Sequence, residues 1–141
     1  MVAKDLRSLI RLNEWMVDER RRELSDVLGS LEGLEKGLER LEKELELEQQ
    51  AVLSSPNEAG LFYGNYASSV NQQRDHINAG ILSMEKQVVE ARARLDDSYR
   101  ELKKFEITQD ARNIKIAQEV NRQETIEMDE IALQVHRSKQ D

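Results

Sequence analysis

Residues 24–45 read LSDVLGSLEGLEKGLERLEKEL. Leu24, Val27, Leu31, Leu34, Leu38, Leu41 and Leu45 recur here in alternating steps of three and four, with Glu, Lys, Arg and Gly between them. An α-helix turns once in about 3.6 residues, so this spacing gathers the apolar side chains into one narrow stripe, the seam of a coiled coil. Counting outward keeps the phase: Leu6, Ile10, Asn13, Val17 and Arg20 precede the stretch, and Glu48 and Val52 follow it. Eleven of these fourteen positions are apolar, a register that a disordered segment has no reason to hold. The spacing predicts a first helix over about 5–53, with Asp5 placed to cap its start.

Ser54-Ser55-Pro56-Asn57 ends that pattern, because proline disfavours helical geometry in the residue before it and carries no N–H of its own. The break is expected to run from 54 to 64, closing with Ala59-Gly60-Leu61-Phe62-Tyr63-Gly64, and a second helix to run from Asn65 to about 136. Its seam reads Val70, Arg74, Ile77, Ile81, Met84, Val88, Ala91, Leu95, Ser98, Leu102 and Phe105. Past Phe105 the same count meets Gln109, Arg112, Ile116, Glu119, Gln123, Ile126, Glu130 and Leu133, and the apolar content thins. If the helices fold back around residue 59, Val52 sits near Tyr66, Leu24 near Arg94 and Leu6 near Arg112. Everything after about residue 113 then overhangs the first helix and needs no continuous seam. The expected fold is all-α: one antiparallel coiled-coil hairpin over 1–141 with an overhanging C-terminal arm. The first helix would be about 70–75 Å long and the overhang up to about 40 Å more. A parallel dimer of straight helices is the competing arrangement, disfavoured by the Pro/Gly break and the matched seam lengths.

Composition bounds the chemistry. Of 141 residues 35% are charged and only 4% aromatic, with no cysteine, which suits long helices with narrow seams better than a compact core. A net charge of −7 argues against a general binder of nucleic acid or anionic membrane. Without cysteine there are no disulfides, thiolates or cysteine zinc sites. Lys4, Asp5, Arg7, Arg11 and Glu14 interrupt the N-terminal region, so neither a secretory signal nor a membrane span is expected, and the chain reads as cytoplasmic.

No catalytic, cofactor or metal site emerges. His76 and His136 have no neighbouring ligand pattern, and the glutamates from Glu32 to Glu48 flank the seam with Lys36, Arg40 and Lys43 interleaved, as a solvated face does. Gly29, Gly33 and Gly37 recur every four residues off the seam; each costs about 1 kcal/mol relative to alanine, which suggests a softened or contacted segment beside the plainer reading of neutral variation. Leu12 and Trp15 point away from the seam, with Leu9 and Met16 flanking it. Two readings stand open for them, packing against the C-terminal arm or an exposed anchor for a partner. Arg7, Arg11, Arg20, Arg21 and Arg22 gather positive charge near this end, whereas residues 32–48 carry seven Glu against three basic residues. Such polarity steers a charged partner.

Several runs resemble one family. Leu6-Arg7-Ser8-Leu9-Ile10-Arg11-Leu12 followed by Val17-Asp18-Glu19-Arg20-Arg21-Arg22 looks like the opening of the flagellar FliJ proteins, particularly their alphaproteobacterial branch. Phe62-Tyr63-Gly64-Asn65-Tyr66-Ala67 with Gln73-Arg74-Asp75, then Glu101-Leu102-Lys103-Lys104 and Met128-Asp129-Glu130-Ile131-Ala132-Leu133, extend the likeness over nearly the whole chain. Gly64 stands where that branch is expected to have proline.

The resemblance implies a non-enzymatic cytoplasmic component of the flagellar type III export apparatus, peripheral to the inner membrane at the flagellar base. Its two-helix coiled coil resembles a rotary-ATPase stalk. The implied partners are the hexameric export ATPase, the cytoplasmic domain of the export-gate membrane protein, and substrate chaperones. No nucleic acid, small-molecule substrate, cofactor or membrane insertion is implied. By that analogy Arg7, Arg11, Leu12, Trp15, Arg20, Arg21 and Arg22 are candidates to face the ATPase, and Phe62, Tyr63 and Tyr66 to face the gate. The alternatives are the equivalent stalk of a virulence type III injector, or a structural or adaptor coiled coil that self-assembles.

Overall fold

A computed structural model of the chain describes residues 5–54 and 56–140, and the side chains of these apart from residues 56–62. Two helices account for every described residue but Asp5 and Leu6: α1, Arg7–Ser54, and α2, Pro56–Gln140. They pack against each other as an antiparallel helical hairpin, and the described residues contain no strand. The chain divides into two compact units. A hairpin unit spans Met16–Ser98, and a terminal unit joins Met1–Trp15 to Tyr99–Asp141.

Each helix boundary has a local cause. At the start of α1 the Arg7 N–H donates to Asp5 Oδ1 at 3.1 Å, the cap expected of that aspartate, and the first intrahelical bond runs from Ile10 N–H to the Leu6 carbonyl at 2.8 Å. At the other end Ser54 Oγ donates back to the Gln50 carbonyl at 3.1 Å. The second helix begins at Pro56 rather than at Asn65. Proline suits a first helical position, since its φ is already helical and the N–H it lacks would have no intrahelical partner there. The non-helical break is thus much shorter than the 54–64 span expected, and Tyr63 to Tyr66 lie within α2. At its far end Arg137 and Lys139 occupy the last turn of α2, where positive charge meets the negative end of the helix dipole.

In the hairpin unit the seam follows the heptad count. Val17, Leu41, Val70, Val88 and Ala91 are buried, and Leu24, Leu31, Leu34, Leu38, Ile77, Ile81, Met84 and Leu95 are half-buried between them. Of the seam positions counted in α1, Glu48 alone is exposed. In the terminal unit Leu6 and Leu102 are buried and Phe105 and Gln109 half-buried, whereas every described residue from 113 to 140 is exposed. The thinning of the apolar count past Phe105 therefore marks the place where α1 ends as a partner.

Three close approaches fix the register. Leu6 N–H meets Gln109 Oε1 at 2.9 Å, Glu23 meets Arg94 at 3.6 Å, and Gly80 lies against Leu34. Each α2 partner stands slightly nearer the break than a reversal at residue 59 would put it (Arg112, Leu95 and Met84). The early start of α2 at Pro56 is the reason.

Candidate functional site

The residues singled out at the start of α1 fall in both units. In the terminal unit Arg7 and Arg11 are exposed. Arg7 Nε lies 3.4 Å from Asp5 Oδ2, and Arg11 Nη2 donates to Ser8 Oγ at 3.5 Å. Leu9, Leu12 and Trp15 follow at intervals of three, which makes each the neighbour of the next along the helix surface. They are 42%, 55% and 56% exposed, so the C-terminal arm does not cover them. An uncovered indole beside leucines and two guanidiniums has the composition of an interface anchor.

In the hairpin unit the three successive arginines have separate fates. Arg20 turns into the seam: its Nη1 donates to both carboxylate oxygens of Glu23 at 3.0 Å, and its buried Nε finds no partner. Glu23 in turn reaches Arg94 across the hairpin at 3.6 Å. Arg20 is thus engaged in holding the helices together. Arg21 and Arg22 face solvent: Arg21 lies 3.7 Å from Asp18, and Arg22 Nη1 donates to Glu19 Oε1 at 2.8 Å. Exposed pairs of this kind contribute little stability and leave their charge available to a partner.

Of the aromatic residues near the break, Tyr63 and Tyr66 are half-buried on α2, and the side chain of Phe62 lies outside the described residues. Partial withdrawal from water, followed by the negative charges of Glu48 and Glu44, pushes the Tyr66 phenol above its ordinary value. The two helices thereby join an aromatic residue of α2 to the acidic stretch of α1. Gly29 and Gly33 have open space where a Cβ would stand. Among the described residues no group of three His, Asp or Glu side chains is placed to hold a metal ion, and no helix is long and apolar enough to cross a membrane.

Two contacts were not singled out from the sequence. Register arithmetic puts Leu24 near Arg94, one residue from the Glu23–Arg94 pair that forms. In the heptad count Gln109 is only a polar interruption of the second seam. The signal that identifies it is position: it sits opposite the start of α1, where helix N–H groups lack partners.

Residues 3–141 match the family model described as the Flagellar FliJ protein. No curated protein and no solved structure matches the chain. A match running from residue 3 to residue 141, over a hairpin of two long helices, means that this chain belongs to the FliJ family of flagellar export-related coiled-coil proteins.

Proposed function

We propose that this chain is a non-enzymatic stalk of the flagellar type III export apparatus, acting in the cytoplasm at the base of the flagellum. It binds and stimulates the hexameric export ATPase, couples it to the export gate, and escorts substrate chaperones. The observation that carries this reading, beyond the family itself, is the exposed Leu12–Trp15 anchor on an arginine-bearing helix whose partner α2 is 85 residues long against 48 for α1. A single asymmetric coiled coil within a pseudo-sixfold ring contacts its subunits unequally and so biases their catalytic states. It does this through surface contact, with no catalytic side chain of its own. In this reading Arg7, Arg11, Arg21 and Arg22 supply charge for the ATPase-facing surface and Leu12 and Trp15 its apolar centre, while Tyr63 and Tyr66 are the candidates for contact with the gate.

The test is ATP turnover by the cognate export ATPase with and without the purified chain, at several ratios. Stimulation that saturates near one chain per hexamer is the expected result. An ATPase shown to be hexameric yet indifferent to the chain would overturn the stalk reading.

A further inference from the structure

The bond from Leu6 N–H to Gln109 fixes which seam residues of α2 stand opposite those of α1. Carried along the heptad count, that register sets Ile10 opposite Phe105, Asn13 opposite Leu102, Val17 opposite Ser98 and Arg20 opposite Leu95. Of these layers only that of Ile10 and Phe105 is apolar on both sides. Farther into the hairpin unit the seam changes character. From Leu24 opposite Ala91, through Val27 opposite Val88, to Leu38 opposite Ile77, every layer is apolar on both sides. A long helix is stabilised mainly by the face it buries, so the start of α1 is held more weakly than its middle.

The polar members of the weak layers do not repair the deficit. Asn13 Nδ2 donates to the Leu9 carbonyl at 2.7 Å, a bond that stays within α1. Arg20 Nε is buried without a partner, which costs stability rather than adding to it. The division into compact units falls at the same place: α1 up to Trp15 belongs with Tyr99 and beyond, and Met16 opens the hairpin unit. Beneath this start of α1, in the terminal unit, lie Leu102, 7% exposed, and the half-buried Phe105.

We propose that Arg7–Trp15 of α1 is a latch, which lifts from α2 as one unit while the hairpin unit stays closed, and so gates access to Leu102 and Phe105. When it opens, these two side chains are bared together with Leu6 and Ile10. Asn13 sets how readily it opens, since a leucine there would make the layer at Leu102 apolar on both sides. The inference does not depend on the ATPase reading, and its test contains no ATPase.

Native-state hydrogen exchange of the unaltered full chain tests the latch directly. Amides from Ile10 to Trp15 should share one level of protection, about a hundredfold or more below that of Leu31 to Leu38. Protection that instead rises smoothly from Leu6 inward would mean ordinary fraying of a helix end and would overturn the proposal. Thiol labelling gives a second readout, because the chain has no cysteine. Leu102 and Val88 are equally buried, at 7% each. Without denaturant, Leu102→Cys should nonetheless be labelled about tenfold or more faster than Val88→Cys, and adding Asn13→Leu should slow it by about tenfold. Equal rates at the two positions would show that α1 is held as tightly at its start as in the hairpin, and the latch would fall. A rate at Leu102→Cys indifferent to Asn13→Leu would overturn the control assigned to Asn13.

Discussion

The side-chain carbonyl of Gln109, on α2, accepts a hydrogen bond from the backbone N–H of Leu6 at 2.9 Å. A helix start is thereby capped by a residue more than a hundred positions away. The Gln109 amide is held in place by a second bond, its Nε2 donating to Asn113 Oδ1 at 2.9 Å. Gln109→Ala is expected to free the first turn of α1, at a cost of about 1 kcal/mol. Amide hydrogen exchange at Leu6 and Arg7 should quicken while the hairpin unit exchanges as before. Unchanged protection at Leu6 would show that the cap does not hold in solution.

The seam makes a sharper prediction about stability. Leu41 is 7% exposed and Leu47, one helix face away, 66%. Leu41→Ala is expected to cost about 2–3 kcal/mol, near the low end for buried leucines because a two-helix seam collapses readily around a gap. Leu47→Ala should stay within about 0.5 kcal/mol of the parent. Chemical denaturation of the two variants checks both values, and equal effects would contradict the register.

Gly33 of α1 and Gly80 of α2 have different surroundings. A Cβ at Gly33 meets nothing within 4 Å, so Gly33→Ala should stabilise the hairpin by about 1 kcal/mol through propensity alone. At Gly80 the new methyl would stand 3.2 Å from Leu34 Cδ1. Leu34 has to shift by a few tenths of an ångström, which offsets most of the gain. Thermal unfolding should therefore rank Gly33→Ala above Gly80→Ala.

Why the fold was legible while parts of the candidate site were not follows from these residues. A heptad is a repeated signal: a single misplaced residue such as Arg20 or Asn13 does not erase it, and the count from Leu24 finds the buried Val17 and Leu41 directly. The break is a single event, and Pro56 reads equally as the end of one helix or the first residue of the next. Propensity cannot separate those readings; the structure takes the second, with α2 starting at Pro56. Exposure of Leu12 and Trp15 was undecidable from periodicity, since it depends on how far α2 reaches across α1 at that height. The heptad count does separate Arg20, at a seam position, from Arg22, off it, and the structure turns the first into the seam and the second outward.

Tyr66 offers a test by pH. Partial desolvation comes first, then the charges of Glu48, Glu44 and Tyr63, and together they raise the phenol above 10.0. The folded state thus favours the protonated ring. Its contribution to stability is complete below the unfolded value and is lost as pH rises through the raised folded one. In a chain carrying Tyr63→Phe and Tyr99→Phe, the phenolate absorbance of Tyr66 should titrate above 10.0, and Glu48→Gln should bring it down. A midpoint at or below 10.0 in the folded chain would remove Glu48 and Glu44 from its surroundings.

The ATPase-facing surface is best probed where function and folding separate. Trp15 is 56% exposed, so Trp15→Ala should alter unfolding by no more than about 0.5 kcal/mol. If the indole is an anchor, the same change should lower stimulation of the export ATPase by about tenfold or more, with the concentration of chain needed for half-effect rising. Arg21→Glu with Arg22→Glu should also weaken stimulation, and more strongly at low salt, because these side chains keep their charge in water. Arg20→Glu is uninformative alone, since it also breaks the bonds to Glu23 and strands Arg94. Full stimulation by Trp15→Ala and by the double arginine variant, with both folded, would mean that neither the exposed anchor nor the outward arginines meet the ring.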